Sequence, residues 1–240
     1  AVLVLRTDVD VVGTMWNERP ALPTAAIYEH TAPHATTSRV EKLKLLRQAM
    51  ALHKASHHWV STVDDIAWIT NLRGNDVDYN PVFLAHLLVS GTQATLFVSQ
   101  GKLNTPLVDT LRRDGVEVAD YATASAAVAA LPPSAVLLID PKRVTLGLRQ
   151  GVPSTVRVVE AINPSTLAKS RKVASEASHV REAMAEDGAA MCHFYAWFEQ
   201  ALGRERITEV SLADRLRAEL AKRKHIVGWS FPVIAGFNSN

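Results

Sequence analysis

Val63-Asp64-Asp65-Ile66-Ala67-Trp68-Ile69-Thr70 runs straight into Asn71-Leu72-Arg73-Gly74-Asn75-Asp76-Val77-Asp78-Tyr79-Asn80-Pro81-Val82-Phe83. The first eight residues read as a short helix. Asp64 and Asp65 fall in its first turn, where the positive end of the helix dipole favours carboxylates. Residues 71–81 then form a connection about twice the usual length between a helix and a strand. The connection is dense in side chains that hydrogen-bond and carries one arginine among several acceptors. Long ordered loops on α/β scaffolds often carry function. The alternative is a self-satisfied surface loop in which Arg73 pairs with Asp76 or Asp78, and the residues alone leave both readings open.

Working outward, strands alternate with helices. Ser38 is placed to N-cap a helix whose apolar stripe is Val40, Leu43, Leu46 (with Leu45), Ala49 and Met50. Residues 58–62 read as a strand. Residues 83–90 and 92–99 read as a hairpin around Gly91. A helix is predicted over 103–113, a strand over 116–121 and a helix over 124–130 capped by Thr123. Two more strands are expected over 135–139 and 156–160. This alternation predicts an α/β domain over 38–162 with a mixed sheet and flanking helices. Residues 1–37 read as the end of a preceding domain plus a linker, broken by Pro20, Pro23 and the Thr/Pro/His stretch 31–37.

The character changes at Asn163-Pro164. A long helix is predicted over 175–202, closed by Gly203, with Val180, Met184, Met191, Phe194 (with Tyr195), Phe198 and Leu202 as its stripe. A second helix runs from Thr208 to about residue 224, and residues 229–237 turn strand-like. The last stretch reads as the opening of a further domain over 163–240. The apolar run Ala1-Val2-Leu3-Val4-Leu5 and the finish at Phe237-Asn238-Ser239-Asn240 read as cut ends, the second especially.

Composition narrows the function classes. About half of the residues are hydrophobic (48%) and the formal charge is +2, enough apolar content for a core and no basic excess of the kind nucleic-acid binders show. No apolar run approaches the roughly 20 residues that span a bilayer. One cysteine, Cys192, excludes an internal disulfide, and a reducing, cytoplasmic setting is the plain expectation.

Other residue groups read as structural. His53 and His57 have the spacing of a helical metal pair, but no glutamate sits between them and the helix is ending, so surface histidines, with His58, are expected. His30 and His34 repeat the spacing in a Pro-containing linker. Cys192 and His193 point about 100° apart on a helix and form no dyad with each other; Cys192 reads as a small core residue. Asp187 interrupts the stripe of the long helix and reads as structural, either hydrogen-bonding a neighbouring backbone segment or serving a domain or subunit contact. No phosphate loop, nucleophile elbow or dense acid/histidine cage is present.

The run from Val63 to Phe83 resembles a signature of the Xaa-Pro aminopeptidase (aminopeptidase P) family, three-domain form, of the creatinase/prolidase group. The typical family text is a DEIAWLLNLRG-like run continued by NPVF. Trp16-Asn17-Glu18-Arg19-Pro20, residues 168–181, Asp187-Gly188-Ala189, Ile207-Thr208-Glu209 and residues 230–238 agree with it, so the resemblance covers essentially the whole chain. It implies a creatinase N-terminal-like α/β domain, then the opening helices and strand of a "pita-bread" catalytic domain. It implies a hydrolase that releases the N-terminal residue from peptides with proline second. Two divalent metal ions, usually manganese, are held in that family by two Asp, one His and two Glu, and generate the attacking hydroxide. All of those ligands, and a positioning histidine, fall beyond the position of Asn240. The resemblance therefore assigns no catalytic and no metal-ligating residue to these 240 residues and predicts them to be inactive alone. It places Arg73, Asp76, Tyr79 and Phe231 near the peptide substrate, and implies a homodimer in the cytoplasm. The competing expectation is a non-catalytic homologue that uses this fold as a binding or scaffold module.

Overall fold

A computed structural model describes residues 6–224 and 226–239; the apolar run 1–5 and Asn240 lie outside the described residues. In chain order the elements are α1 (Val11–Met15), β1 (Tyr28–Glu29), α2 (Arg39–Leu52), β2 (His57–Val60), α3 (Val63–Thr70), β3 (Leu72–Arg73), β4 (Ala85–Ser90), β5 (Ala94–Val98), α4 (Thr105–Arg113), β6 (Val116–Asp120), α5 (Ala124–Ala129), β7 (Val136–Ile139), α6 (Leu146–Gln150), β8 (Arg157–Glu160), α7 (Pro164–Ser170), α8 (Ala174–Ala201) and α9 (Glu209–Ala221).

The main sheet has the order β6-β5-β4-β2-β7-β8, six strands among the described residues. It is mixed, as the alternation predicts. β2 pairs antiparallel with β4, and β4 with β5, while β5–β6, β2–β7 and β7–β8 are parallel. The period-2 pattern sends alternate side chains to opposite faces. Leu87 and Val89 of β4 and Leu96 and Val98 of β5 meet Leu43, Leu46 and Met50 of α2, Ile66 and Ile69 of α3, and Leu107 and Leu111 of α4. Trp59, Phe97, Leu137 and Ile139 meet α5 and α6 on the other side. Helices thus cover both faces of one sheet.

Local signals explain the boundaries. Ser38 and Glu41 close a full capping box at the start of α2. Asn104 caps α4 with Pro106 near its start. Gly203 sits at φ +77°, the conformation a helix terminator needs. Thr123 does not cap α5 with its side chain; a 3₁₀ turn over Tyr121–Thr123, capped by Asp120, precedes that helix instead.

Several expectations are corrected. Val40 and Leu45 are exposed while the charged Arg39 and Lys42 are buried, because both cations find acceptors under the α2 face. Short α6 and α7 add to the expected elements; a glycine in one and a proline in the other hide the helical period. The stripe of α8 stays largely in solvent at Val180, Met184, Tyr195 and Leu202, because α9 covers only part of the helix. Cys192 is exposed rather than in a core. Residues 229–237 form no strand: alternation supplies one half of a strand, and no described segment supplies the paired ladder.

Before the first long helix the chain forms a strap. Ile27 N donates to Lys102 O (2.8 Å), His30 N to Asn71 O (2.8 Å), and β1 pairs with β3. Arg39 ties the strap from below. It donates to Thr70 O (2.9 Å) and Asp114 Oδ2 (2.7 Å) and pairs with Glu29.

Candidate functional site

The 71–81 loop is built by its neighbours. Asn71 ends α3 in the left-handed region, φ +53°. Its amide donates to Thr37 O (2.9 Å), and its Oδ1 accepts from Lys42 Nζ (2.5 Å). Lys42 also donates to Trp68 O (2.8 Å) and lies 4.4 Å from the centre of the Trp68 ring. Burial pushes its pKa down to about 8, with Arg73 and Arg39 acting the same way against the pull of Glu176. Past β3 the chain doubles back as a narrow hairpin. Gly74 N donates to Pro81 O (3.3 Å) and Asp76 N to Val82 O (3.1 Å), with the turn closed between Val77 and Asn80. The approach is close enough to require Gly74: a Cβ there would lie 2.8 Å from Phe83 Cβ.

The four residues expected near the peptide fall into two pairs. Arg73 turns back on α3 and donates to Ala67 O and Leu72 O, both 2.9 Å, so it pairs with neither Asp76 nor Asp78. Burial lowers its pKa. The Asp76 side chain is fully buried, accepts from Leu84 N (2.7 Å) and pairs with Lys102, itself buried. Tyr79 stands at the turn with φ +63°, a conformation that costs a bulky residue strain, and its side chain reaches solvent. Phe231 is also exposed, far along the chain in the segment after α9.

A groove of about 780 Å³ opens between His30 and His34, α8, and residues 223–224 and 226–230. His30 and His34 stack there, ring centres 5.7 Å apart, and His34 meets His179 of α8 at 5.4 Å. The histidine spacing in the linker therefore builds a contact onto a helix far along the chain. Burial lowers His30 to about 4, helped by Arg73, His34 and Lys42. Asp187 pairs with Arg223 across α8 and the end of α9, the structural role read from its place on the stripe. His57 lies on β2, not on a helix face with His53, and its Nδ1 is 2.9 Å from Ser56 Oγ. His58 is buried, not a surface residue, because strand alternation turns it under the helices. Among the described residues no group of three or more His, Cys, Asp or Glu is placed to hold a metal ion.

Sequence reasoning misses a buried polar joint. Asp65 of α3 is 1% exposed and accepts from Thr166 Oγ1 (2.9 Å) and Asn163 Nδ2 (3.4 Å) of α7 and its cap. Lys169 Nζ lies 3.0 Å from Asp65 Oδ1 and pairs with Asp64. The available signal is the doubled aspartate: a dipole argument needs one carboxylate, and the second has to serve something else.

The loop and its supports sit inside a recognisable family. The creatinase/prolidase N-terminal domain family matches residues 18–176. Relatives include a probable Xaa-Pro aminopeptidase P of Botryotinia fuckeliana, 32% identical over 99% of this chain and 38% of its own length. Another, of Sclerotinia sclerotiorum, is 31% identical over 99% of this chain and 41% of its length. The chain thus spans about two-fifths of the length of these curated relatives. Among solved structures, an X-prolyl aminopeptidase from Caenorhabditis elegans, described as a cytosolic enzyme with a di-nuclear active site, superposes with TM-score 0.84 at 21% identity, covering 93% of this chain and 37% of that one. The N-terminal domain of a FACT complex subunit from Cicer arietinum superposes with TM-score 0.52 at 14% identity, over 75% and 49% of the two chains.

Proposed function

The chain belongs to the creatinase/prolidase N-terminal domain family, and from that premise we propose that it is the N-terminal and middle part of an Xaa-Pro aminopeptidase. The observation that carries this reading is the identity of about a third, sustained over 99% of the chain, to a probable Xaa-Pro aminopeptidase P. The proposed reaction releases the N-terminal residue from peptides with proline second. The proposed working form is a cytoplasmic homodimer with two divalent ions, manganese by preference.

The described residues do not fit a two-metal centre. The carboxylates of Asp65, Asp76 and Asp187 are engaged by Lys169, Lys102 and Arg223, and His58 donates to a backbone carbonyl. We therefore place the metal ligands outside these 240 residues and derive no step through them. The proposed division of the chain is the end of a preceding domain plus a linker over 1–37, the α/β domain over 38–162 and the opening of the catalytic domain over 163–240. Tyr79 and Phe231 are the proposed peptide contacts, because their side chains stand in solvent. Arg73 and Asp76 serve the same site by holding the loop that presents Tyr79.

The test compares cleavage of an Xaa-Pro peptide with Mn²⁺ by this chain and by a parent chain continuing past Asn240. Cleavage by the longer chain alone is expected. Cleavage by the 240 residues overturns the placement of the metal ligands, and an inert longer chain overturns the enzyme reading. The second reading, a binding or scaffold module, is favoured by the fold shared with the FACT subunit domain. A longer chain that takes up no stoichiometric metal decides for it.

A further inference from the structure

The joint between α3 and α7 is an expensive way to pack two helices. Asp65 is withdrawn from water to receive Thr166, Asn163 and Lys169. Asp65 Oδ1 itself has the Lys169 ion pair but no hydrogen bond, and around it His58 Nε2, Asn163 Oδ1 and Ser165 Oγ are buried with no protein hydrogen-bond partner; each such atom costs free energy. His58 Nδ1 lies 3.0 Å from Leu138 O, which only accepts, so Nδ1 carries the proton and Nε2 keeps its lone pair. An apolar joint of equal volume would be as stable or more so. What a polar joint adds is direction: apolar surfaces slide, whereas a carboxylate with two donors on one oxygen and an ammonium beside the other admits one arrangement.

Direction matters here because α7 hands the chain to the longest helix. Residues 171–173 alone separate α7 from α8, and α8 packs chiefly against α9. The strap touches α8 near its start, through Thr36 Oγ1 and Ser175 Oγ (2.8 Å) and through His34 on His179. The α3–α7 joint is a second hold, beside a smaller contact of α7 with α2.

We propose that Asp65 is a positioning residue: its buried carboxylate sets the angle at which α7 passes the chain to α8, and so the place of the α8–α9 pair relative to the loop that carries Tyr79. The placement stands on the geometry of this chain; its consequence for peptide binding rests on the aminopeptidase reading.

The test replaces the joint by apolar groups, Asp65→Leu with Thr166→Val and Lys169→Met, in the 240-residue chain. The expected result is a Tm equal to or above the parent's, with amide exchange in α7 and the first turns of α8 roughly tenfold faster and the sheet unchanged. Unchanged exchange in α8 overturns the proposal. So does a fall in Tm with faster exchange throughout the sheet, which would make the joint a plain stability element. Should the triple variant not fold, Lys169→Met alone, at a side chain one quarter exposed, is expected to lower Tm because the Asp65 carboxylate stays buried without its counter-charge, and its readout is faster exchange in α7 and the first turns of α8 relative to the sheet. In the longer chain, the single variant is expected to raise KM for Xaa-Pro peptides with kcat retained. A normal KM beside loosened α8 would overturn the functional consequence and leave the positioning role standing.

Discussion

The ammonium of Lys102 and the carboxylate of Asp76 face each other with side chains 1% and 0% exposed. The pair joins the base of the Tyr79 hairpin to the turn before α4, and Lys102 Nζ also lies 3.4 Å from Pro23 O of the strap. Lys102→Met leaves a buried carboxylate without its counter-charge and is expected to lower unfolding stability by about 3–5 kcal/mol. Adding Asp76→Asn removes the stranded charge and returns part of the loss. Urea denaturation of both single variants and the double checks this; a double variant whose loss equals or exceeds the sum of its singles would show that the pair does not act as a unit.

Gly74 is confined by space rather than by its own dihedral angles. An alanine there places its Cβ against Phe83 Cβ and 3.2 Å from Val82 O. Neither the buried phenylalanine nor the backbone gives way cheaply, so Gly74→Ala is expected to cost about 1–3 kcal/mol. Tyr79→Gly makes the contrast. It relieves a positive φ at an exposed turn and is expected to hold Tm, while weakening peptide binding in the longer chain. Thermal melts separate the two.

Acid destabilisation has a defined sign. Burial lowers His58 from 6.5 to about 4, partly offset by Leu138 O, Asp65 and Asp140. A group whose folded pKa is depressed contributes stability that is complete above its unfolded value, about 6.5, and lost as the pH falls toward about 4, about 3 kcal/mol in this case. His30 acts in the same direction. His58→Leu should therefore flatten the loss of Tm between about pH 7 and about pH 4.5, which brackets most of that window. A parallel loss in parent and variant would contradict it.

Arg39 is the clasp of the strap. It holds Thr70 O, Asp114 and Glu29, and the two carboxylates are each about one-third exposed. Arg39→Met frees them toward water rather than burying them alone, so the cost is expected near about 2–3 kcal/mol, the scale of one charged hydrogen bond. The sharper readout is local. Limited proteolysis should open residues 23–37 in the variant well before the sheet is cut.

The legible parts of the sequence are those whose signals are local. Ser38 with Glu41, the hairpin at Gly91, and the continuous apolar run of β7 each carry their instruction within a few residues. Arg39 and Lys42 are illegible because a buried cation is decided by acceptors elsewhere: Thr70 O and Asn71 Oδ1 lie about thirty residues away in the chain. The stripe of α8 is legible as a period, but burial is a property of two surfaces and the sequence displays one. The same holds for the loop. Its hydrogen-bonding density is visible, whereas the inward turn of Asp76 and the outward turn of Tyr79 depend on Lys102 and on one left-handed residue.

The central strand of the sheet also carries a timing. β2 is held on one side by β4 and on the other by β7, and His58 meets Leu138 across a separation of 80 residues. At roughly 5–20 residues per second, a ribosome delivers Leu138 about 4–16 seconds after His58. The β4–β5 hairpin and the β5–α4–β6 unit can close during that interval, while one edge of β2 waits with its backbone groups unclaimed. Newly made chains therefore pass through a period in which a chaperone, or a neighbouring nascent chain, meets an open strand that the finished molecule never shows.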